Sequence, residues 1–367
     1  MTGQLIILAA GGTGGHVFPA EALATVLLNR NYRIELITDG RGQTYGGTLG
    51  SVPTHRIFAG GIAGKTLLTK IAAFGEIILG VAQSLRLLSR LKPSAVIGFG
   101  GYASFPAVAA ASLLGIPTIL HEQNAVLGLA NRLLAARADK IATSYDRVEK
   151  VPAAAKSRIV LTGMPVRPAI AAVSGAPYAP PGESGPIRVL VLGGSQGARI
   201  LSQVVPEAVG QLSLYLRERL EISQQCRPED LDEVRAAYEG CGVKATLASF
   251  FTDVPERLSQ AHLVITRSGS STVAELTAVG RPAVLVPYKF ATDDHQTANA
   301  RALEHAGGAW PISQDQFTGI TLSILLASLF MLGDVLIKAA EKSRAFGRLD
   351  AAERLADLVP LVVKDPS

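Results

Sequence analysis

The sequence predicts an α/β protein of two Rossmann-like halves, each a parallel sheet wrapped by helices, and a duplicated opening motif carries most of that prediction. Near the N-terminus a strand-length apolar run, Leu5–Ala10, leads into the glycine-dense turn Gly11-Gly12-Thr13-Gly14-Gly15 and then a helical pattern. The same succession returns as Ile187–Leu192, Gly193-Gly194-Ser195-Gln196-Gly197 and a helix from Ala198, about half a chain later. Short apolar runs alternate with helix-period segments throughout, the pattern of βαβ units.

At 367 residues, 48% apolar and 18% charged, the chain has room for two cores and is excluded from the disordered class. Two cysteines, Cys226 and Cys241, imply no disulfide framework. The first ten residues lack the basic region of a secretory signal, and no apolar run has the roughly 18 residues of a membrane span; Leu322–Leu332 comes nearest. Net charge is +5, yet residues 1–163 carry 16 Lys/Arg against 8 Asp/Glu, while 164–367 carry 19 against 22. The basic first half points to an anionic partner, a phospholipid surface or a phosphorylated substrate. No basic-aromatic cluster supports nucleic acid.

In order, the first turn is followed by a helix over Ala20–Asn29 and a strand over Arg33–Thr38 ending at Asp39. The glycine spacing does not contain G-x-G-x-x-G, which argues against a dinucleotide site and leaves Asp39 a strand-end turn residue. Instead the glycines let backbone approach an anion at a helix N-terminus, with His16 beside it as a group able to exchange a proton near neutral pH. A strand at Thr54–Phe58 precedes a long helix, Lys65–Leu91, whose stripe Leu67, Ile71, Phe74, Ile78, Ala82 and Leu85 is spaced for a core face. Other faces of its first turns are apolar too and lysines flank it, so burial and a membrane-surface contact both stand.

The strand Ala95–Ile97 ends in a second glycine turn, Gly98-Phe99-Gly100-Gly101-Tyr102, with Ser104 placed to start a helix. After the strand Thr118–Leu120, His121-Glu122-Gln123-Asn124 reads either as a substrate crevice or as a hydrogen-bonded turn with Asn124 capping a helix from Leu127. A connector rich in Ala, Pro, Gly and Ser follows Gly163 and runs to Pro186, so the domain boundary is expected there. In the second half, Asp230-Leu231-Asp232 reads as a solvated helix face rather than a metal site. His262–Thr266 leads into the small-residue turn Arg267-Ser268-Gly269-Ser270-Ser271-Thr272, with Glu275 one turn into the helix. Gln296 and Asn299 share a helix face, where amides suit sugar hydroxyls; Asp293 or Asp294 would cap that helix.

Four small-residue turns at strand ends predict helix N-termini aimed into a cleft between the halves, and a diphosphate fits such a cleft. The turns 193–197 and 268–272 would neutralise it without a divalent ion, so no metal or other cofactor is expected. Glu275 would then accept hydrogen bonds from ribose hydroxyls.

The segments GGTGGHVFPA, GFGGYASFP, HEQN, GMPVR, GGSQGA, RSGSSTVAE and DDHQTANA, in that order over residues 5 to about 310, resemble the MurG family of bacterial GlcNAc transferases. The resemblance implies a GT-B fold, two Rossmann-like domains whose parallel sheets face an interdomain cleft. Residues 1–163 would bind the acceptor, joined by a C-terminal helix at about 340–367, and residues 164–340 would bind the donor. It implies inverting transfer of GlcNAc from UDP-GlcNAc to the 4-hydroxyl of MurNAc in the undecaprenyl-diphosphate-linked acceptor, lipid I, giving lipid II for peptidoglycan.

Residue by residue, the resemblance puts Phe251 backbone at uracil, Glu275 on ribose, Ser195 with Gly269, Ser270, Ser271 and Thr272 at the diphosphate, and Gln296 and Asn299 on the sugar. Arg167 would add positive charge. Thr13, Gly14, Gly15 and Asn124 would serve both substrates, Tyr102 the acceptor, and His16 is the candidate base. Position 295 is His where some members have Gln, and Gln225-Cys226-Arg227 lacks an expected glycine. An acceptor embedded in lipid also implies a peripheral protein on the cytoplasmic face of the inner membrane. Lys65, Leu67, Leu68, Lys70, Ile71 and Phe74 would touch anionic lipid there, near the cell-wall synthesis machinery.

Overall fold

A computed structural model of the chain describes residues 3–12, 14–40, 46–60, 67–194 and 198–363, with the backbone course alone for 67–73. It divides into two compact units, Met1–Arg167 with Leu349–Ser367, and Pro168–Arg348.

The first unit holds the strands β1 (Leu5–Ala9), β2 (Arg33–Asp39), β3 (Thr54–Ile57), β4 (Ala95–Gly98), β5 (Thr118–Glu122), β6 (Lys140–Thr143) and β7 (Ile159–Leu161). They form one sheet in the order β3-β2-β1-β4-β5-β6-β7, and every pairing is parallel. β1 is apolar at every position because both its faces are covered. Ile6 and Leu8 pack with Leu23 and Leu27 of the helix Gly14–Asn29, whereas Ile7 and Ala9 pack with Ala107 and Val108 of the helix Gly101–Leu113. Each such fully buried Leu or Ile contributes about 1.5–3 kcal/mol.

The second unit repeats the plan with β8 (Ile187–Leu192), β9 (Leu220–Gln225), β10 (Lys244–Ala248), β11 (Leu263–Thr266), β12 (Ala283–Leu285) and β13 (Ala309–Pro311), in the parallel order β10-β9-β8-β11-β12-β13. Its core includes Leu322, Leu326 and Leu329 of the strongly apolar helix Gly319–Met331. Among the described residues no single helix is long and apolar enough to cross a membrane.

In each unit the chain builds outward from the first strand on one side, then returns to build on the other. The loops after β1 and β4 therefore lie side by side, as do those after β8 and β11, at the two topological switch points where α/β sheets bind ligands.

Several local expectations need correction. The unit boundary falls at Arg167 rather than Gly163, and the chain returns to the first unit at Leu349 rather than about 340. Residues 340–346 belong to the helix Gly333–Phe346 of the second unit, where Arg344 donates to the Ala176 and Val279 carbonyls at 2.7 and 3.0 Å. Only beyond it do Leu355, Leu358 and Val359 enter the first core, and Asp357 pairs with Arg30 at 2.7 Å.

The first helix begins at Gly14, not Ala20, with Pro19 inside it. The helix after β4 begins at Gly101, and Ser104 lies in its first turn with its hydroxyl donating to the Gly100 carbonyl at 2.8 Å. Asp230 is buried at a helix start rather than solvated. Among the described side chains of the helix Leu67–Leu91, residues 74–91, the buried positions are Gly80, Ser84 and Leu88, so the expected core stripe is displaced there: Phe74, Ile78 and Ala82 face outward. Side chains of Leu67 and Ile71 lie outside the described residues.

Candidate active site

At the first switch point the close approach of β1 to its neighbours demands glycine. A Cβ on Gly11 would stand 2.7 Å from Ala103 Cβ and 2.9 Å from Thr38 Oγ1. Gly12 then turns the chain with φ of 84°, matched in the second unit by Gly194 at 79°. Gly14, Gly15 and His16 occupy the first helical turn, where backbone N–H groups have no intrahelical acceptor.

His16 reaches across to the neighbouring loop, its Nδ1–H donating to the Phe99 carbonyl at 2.7 Å. A carbonyl only accepts, so in the neutral ring the proton-accepting lone pair is on Nε2. The ring lies over Gly101, whose φ is 71° and whose Cβ, if present, would stand 3.2 Å from that Nε2. Tyr102 follows in the first turn of the same helix and is half-buried.

The loop after β5 is organised by Glu122, a buried carboxylate with four N–H donors. One oxygen accepts from Asn124 N at 3.0 Å and Asn124 Nδ2 at 3.3 Å; the other accepts from Gly128 N at 2.8 Å and Asn131 Nδ2 at 2.9 Å. Asn124 is therefore no helix cap: the helix Leu129–Leu134 starts after Gly128, and Asn124 is held beside the site by Glu122. His121 is buried, its Nε2–H donating to the Gly163 carbonyl at 3.2 Å, and burial depresses its pKa from 6.5 to about 4. Arg167 stacks on Phe18, its guanidinium carbon 5.2 Å from the ring centroid.

At the second switch point the helix Ser270–Val279 starts directly after Gly269, so Ser270, Ser271 and Thr272 present first-turn N–H groups. Ser268 ties this turn to the helix His295–His305. Its hydroxyl donates to the Gln296 carbonyl at 2.8 Å, and its own carbonyl accepts from Asn299 Nδ2 at 3.1 Å. Asn299 is 0% exposed, so it supports the turn from behind. Gln296 remains at the surface of the helix, Oε1 accepting from Tyr288 N at 2.9 Å.

Before that helix Asp293 and Asp294 take φ of 56° and 53°, a left-handed pair that non-glycine residues adopt at some cost. The Asp294 side chain makes no capping bond to the helix backbone; its Oδ1 accepts instead from Thr297 Oγ1 at 2.7 Å. His295 Nδ1–H donates to the Thr292 carbonyl at 2.7 Å. Glu275 lies half-buried one turn into its helix.

Phe251 follows the outermost strand β10, apart from the Gly269 turn, and is buried under the Arg257 guanidinium at 4.2 Å. Arg257 is fixed by Asp253 Oδ1 at 2.9 Å and Ser223 Oγ at 2.8 Å. Thr13, Ser195 and Lys65 lie outside the described residues, as do the side chains of Leu68 and Lys70.

The structure thus gathers Gly14, Gly15, His16, Tyr102 and Asn124 in one unit, and Gly269–Thr272, Gln296 and Asn299 in the other. Sequence reasoning placed Glu122 and Gln123 in a crevice or hydrogen-bonded turn and Ser268 in the small-residue turn, without their particular bonds, and missed Arg257. The first three stand at a strand end or in the following turn, whereas Arg257 lies within the helix Val254–Gln260 and had no such signal.

Family profiles agree with this two-part plan. The glycosyltransferase family 28 N-terminal domain matches residues 6–143, and the family 28 C-terminal domain matches residues 188–355. The chain is a family 28 glycosyltransferase with two parallel-sheet α/β domains of the GT-B fold. A protein of Paramagnetospirillum magneticum named UDP-N-acetylglucosamine--N-acetylmuramyl-(pentapeptide) pyrophosphoryl-undecaprenol N-acetylglucosamine transferase is 60% identical, across 99% of this chain and 98% of that protein. One of the same name from Rhodospirillum rubrum is 53% identical, across 96% of this chain and 91% of that protein. The crystal structure of Acinetobacter baumannii MurG superposes with a TM-score of 0.78 at 31% identity, covering 98% of this chain and 99% of that one. The chain belongs to the MurG family of N-acetylglucosamine transferases.

Proposed function

We propose that the chain transfers GlcNAc from UDP-GlcNAc to the 4-hydroxyl of the N-acetylmuramyl residue of lipid I, with inversion, forming lipid II for peptidoglycan. The observation that carries the mechanism is His16, held at a helix start by the Phe99 carbonyl so that Nε2 is its basic atom. As the hydroxyl oxygen bonds to the anomeric carbon, its proton passes to Nε2. The bond from that carbon to the β-phosphate oxygen breaks, and UDP departs with the electron pair.

The second unit holds the donor. First-turn N–H groups of Ser270, Ser271 and Thr272, with Ser195, stabilise the leaving diphosphate through the helix N-terminus. Glu275 accepts from ribose, Gln296 meets the sugar with Asn299 behind it, and backbone at Phe251 receives the uracil. The first unit holds the acceptor through Thr13, Gly14, Gly15, Tyr102 and Asn124, with Arg167 adding charge; Thr13, Gly14, Gly15 and Asn124 also serve the donor.

The same reading makes the protein peripheral on the cytoplasmic face of the inner membrane, close to the cell-wall synthesis machinery. Phe74, Ile78 and Leu79 are 59%, 54% and 56% exposed on one helix, an apolar patch suited to a bilayer, and Lys65, Leu67, Leu68, Lys70 and Ile71 precede it.

The test is incubation with UDP-GlcNAc and a lipid I analogue, following UDP release and the anomeric configuration of the disaccharide. The expected product is the β-linked disaccharide. His16→Ala should lower kcat by about 10² to 10⁴ with UDP binding retained, the usual range for a positioned base. An unchanged kcat removes His16 from the mechanism.

A further inference from the structure

We propose that Gln123 is the positioning residue for His16: its carboxamide shares the Phe99 carbonyl with the His16 ring and is itself oriented by the Nδ1 lone pair of His121. The inference deepens, and rests on, the reading of His16 as the base. Gln123 Nε2 lies 2.8 Å from the Phe99 oxygen, 3.0 Å from His121 Nδ1 and 3.2 Å from the His121 carbonyl. All three are acceptors, so the amide nitrogen must face them; a flipped amide would set its oxygen against three lone pairs.

The Phe99 carbonyl has two lone pairs, and His16 Nδ1–H and Gln123 Nε2–H account for both, at 2.7 and 2.8 Å. A carbonyl saturated this way is pinned in direction, and so is the ring that donates to it. Gly100 and Gly101, with φ of 77° and 71°, are what allow that carbonyl to point at His16.

His121 keeps the chain of donors in one sense. Its Nε2–H is anchored on Gly163, leaving Nδ1 to accept from Gln123, and its ring stands 5.6 Å from the Phe99 ring, centroid to centroid. A protonated His121 would turn Nδ1 into a donor facing a donor. Burial prevents this by holding the ring neutral at pH 7. Phe99, His121 and Gln123 are all buried, so these bonds act without competing water.

The experiment uses the full chain with UDP-GlcNAc and a lipid I analogue. Gln123→Met keeps the volume and removes the donor. Its kcat should fall about 10- to 100-fold, the scale of a misplaced catalytic group, while KM for UDP-GlcNAc stays within twofold. A kcat within twofold of wild type overturns the proposal. If His16→Ala also retains kcat, the base reading has failed; if His16→Ala is inactive while Gln123→Met is not, the positioning role alone has failed.

Should Gln123→Met not fold, imidazole ¹⁵N spectra of the unmodified protein decide, since only six histidines are present. At pH 7 the expected tautomers carry the proton on Nδ1 of His16 and on Nε2 of His121. A His121 ring protonated on Nδ1 refutes the arrangement. Gln123→Glu gives a second signature: a carboxylate facing Nδ1 should make His121 doubly protonated at a pH where wild type is neutral. An unchanged His121 spectrum in that variant counts against the contact.

Discussion

Glu122→Gln is the sharpest test of how the acceptor side is built. The carboxylate satisfies four N–H groups, two at each oxygen. Replacing one oxygen by NH₂ leaves a single acceptor, so whichever way the amide turns, one pair of donors meets another donor. Hydrogen bonds to a charged group contribute about 1.5–3 kcal/mol each, which sets the loss of two at roughly 3–6 kcal/mol. For a unit of this size each kcal/mol moves Tm by about 2–4 °C, giving a drop on the order of 10 °C.

The sole tryptophan, Trp310, lies in β13 of the second unit, so its fluorescence reports that unit while far-UV circular dichroism reports both. The expected result is an early circular dichroism transition with the Trp310 midpoint unmoved. Turnover should fall mainly through acceptor KM, because Asn124 loses its anchor. A shift below about 2 °C, or one shared equally by Trp310, refutes the hydrogen-bond accounting.

Gly101→Ala forces a left-handed residue with a Cβ against His16 Nε2; backbone strain of about 1–2 kcal/mol and a kcat loss of at least tenfold are expected, and steady-state assay with normal kcat excludes the contact. Arg257→Ala removes the guanidinium over Phe251; KM for UDP-GlcNAc should rise up to roughly tenfold with kcat retained, and an unchanged KM dissociates Phe251 from donor binding. His262 accepts from Arg188 N at 2.9 Å and has its pKa lowered by burial to about 4. Its contribution is therefore complete above pH 6.5 and is lost as pH falls toward 4. Urea midpoints read by Trp310 should decline over that interval in wild type and less in His262→Gln; superimposable pH curves refute the assignment. Ile78→Glu with Leu79→Glu should abolish flotation with anionic vesicles while leaving UDP binding intact, and retained flotation moves the membrane face elsewhere.

Much of the architecture was legible because parallel strands buried on both faces must be continuously apolar, and turns at their ends must be small. Leu5–Ala9 announced itself in this way, and so did Ile187–Leu192 apart from the exposed Arg188, as did the glycines at 12 and 194. Helix faces were less legible. In Leu67–Leu91 apolar residues occur all round, so periodicity alone selected Phe74 and Ile78 for the core, and only packing showed that Ser84 and Leu88 occupy it.

The sequence by itself determined the doubled α/β plan, the strand-end turns and the family, since these depend on local apolar runs and on motifs read in order. Tertiary structure alone decided which of His16, Phe99, Gln123, His121 and Gly163 meet. Apart from the neighbours His121 and Gln123, these residues are far apart in sequence and joined by strand order, and a main-chain carbonyl such as that of Phe99 has no sequence signature. The role of that carbonyl follows from where the sheet reverses.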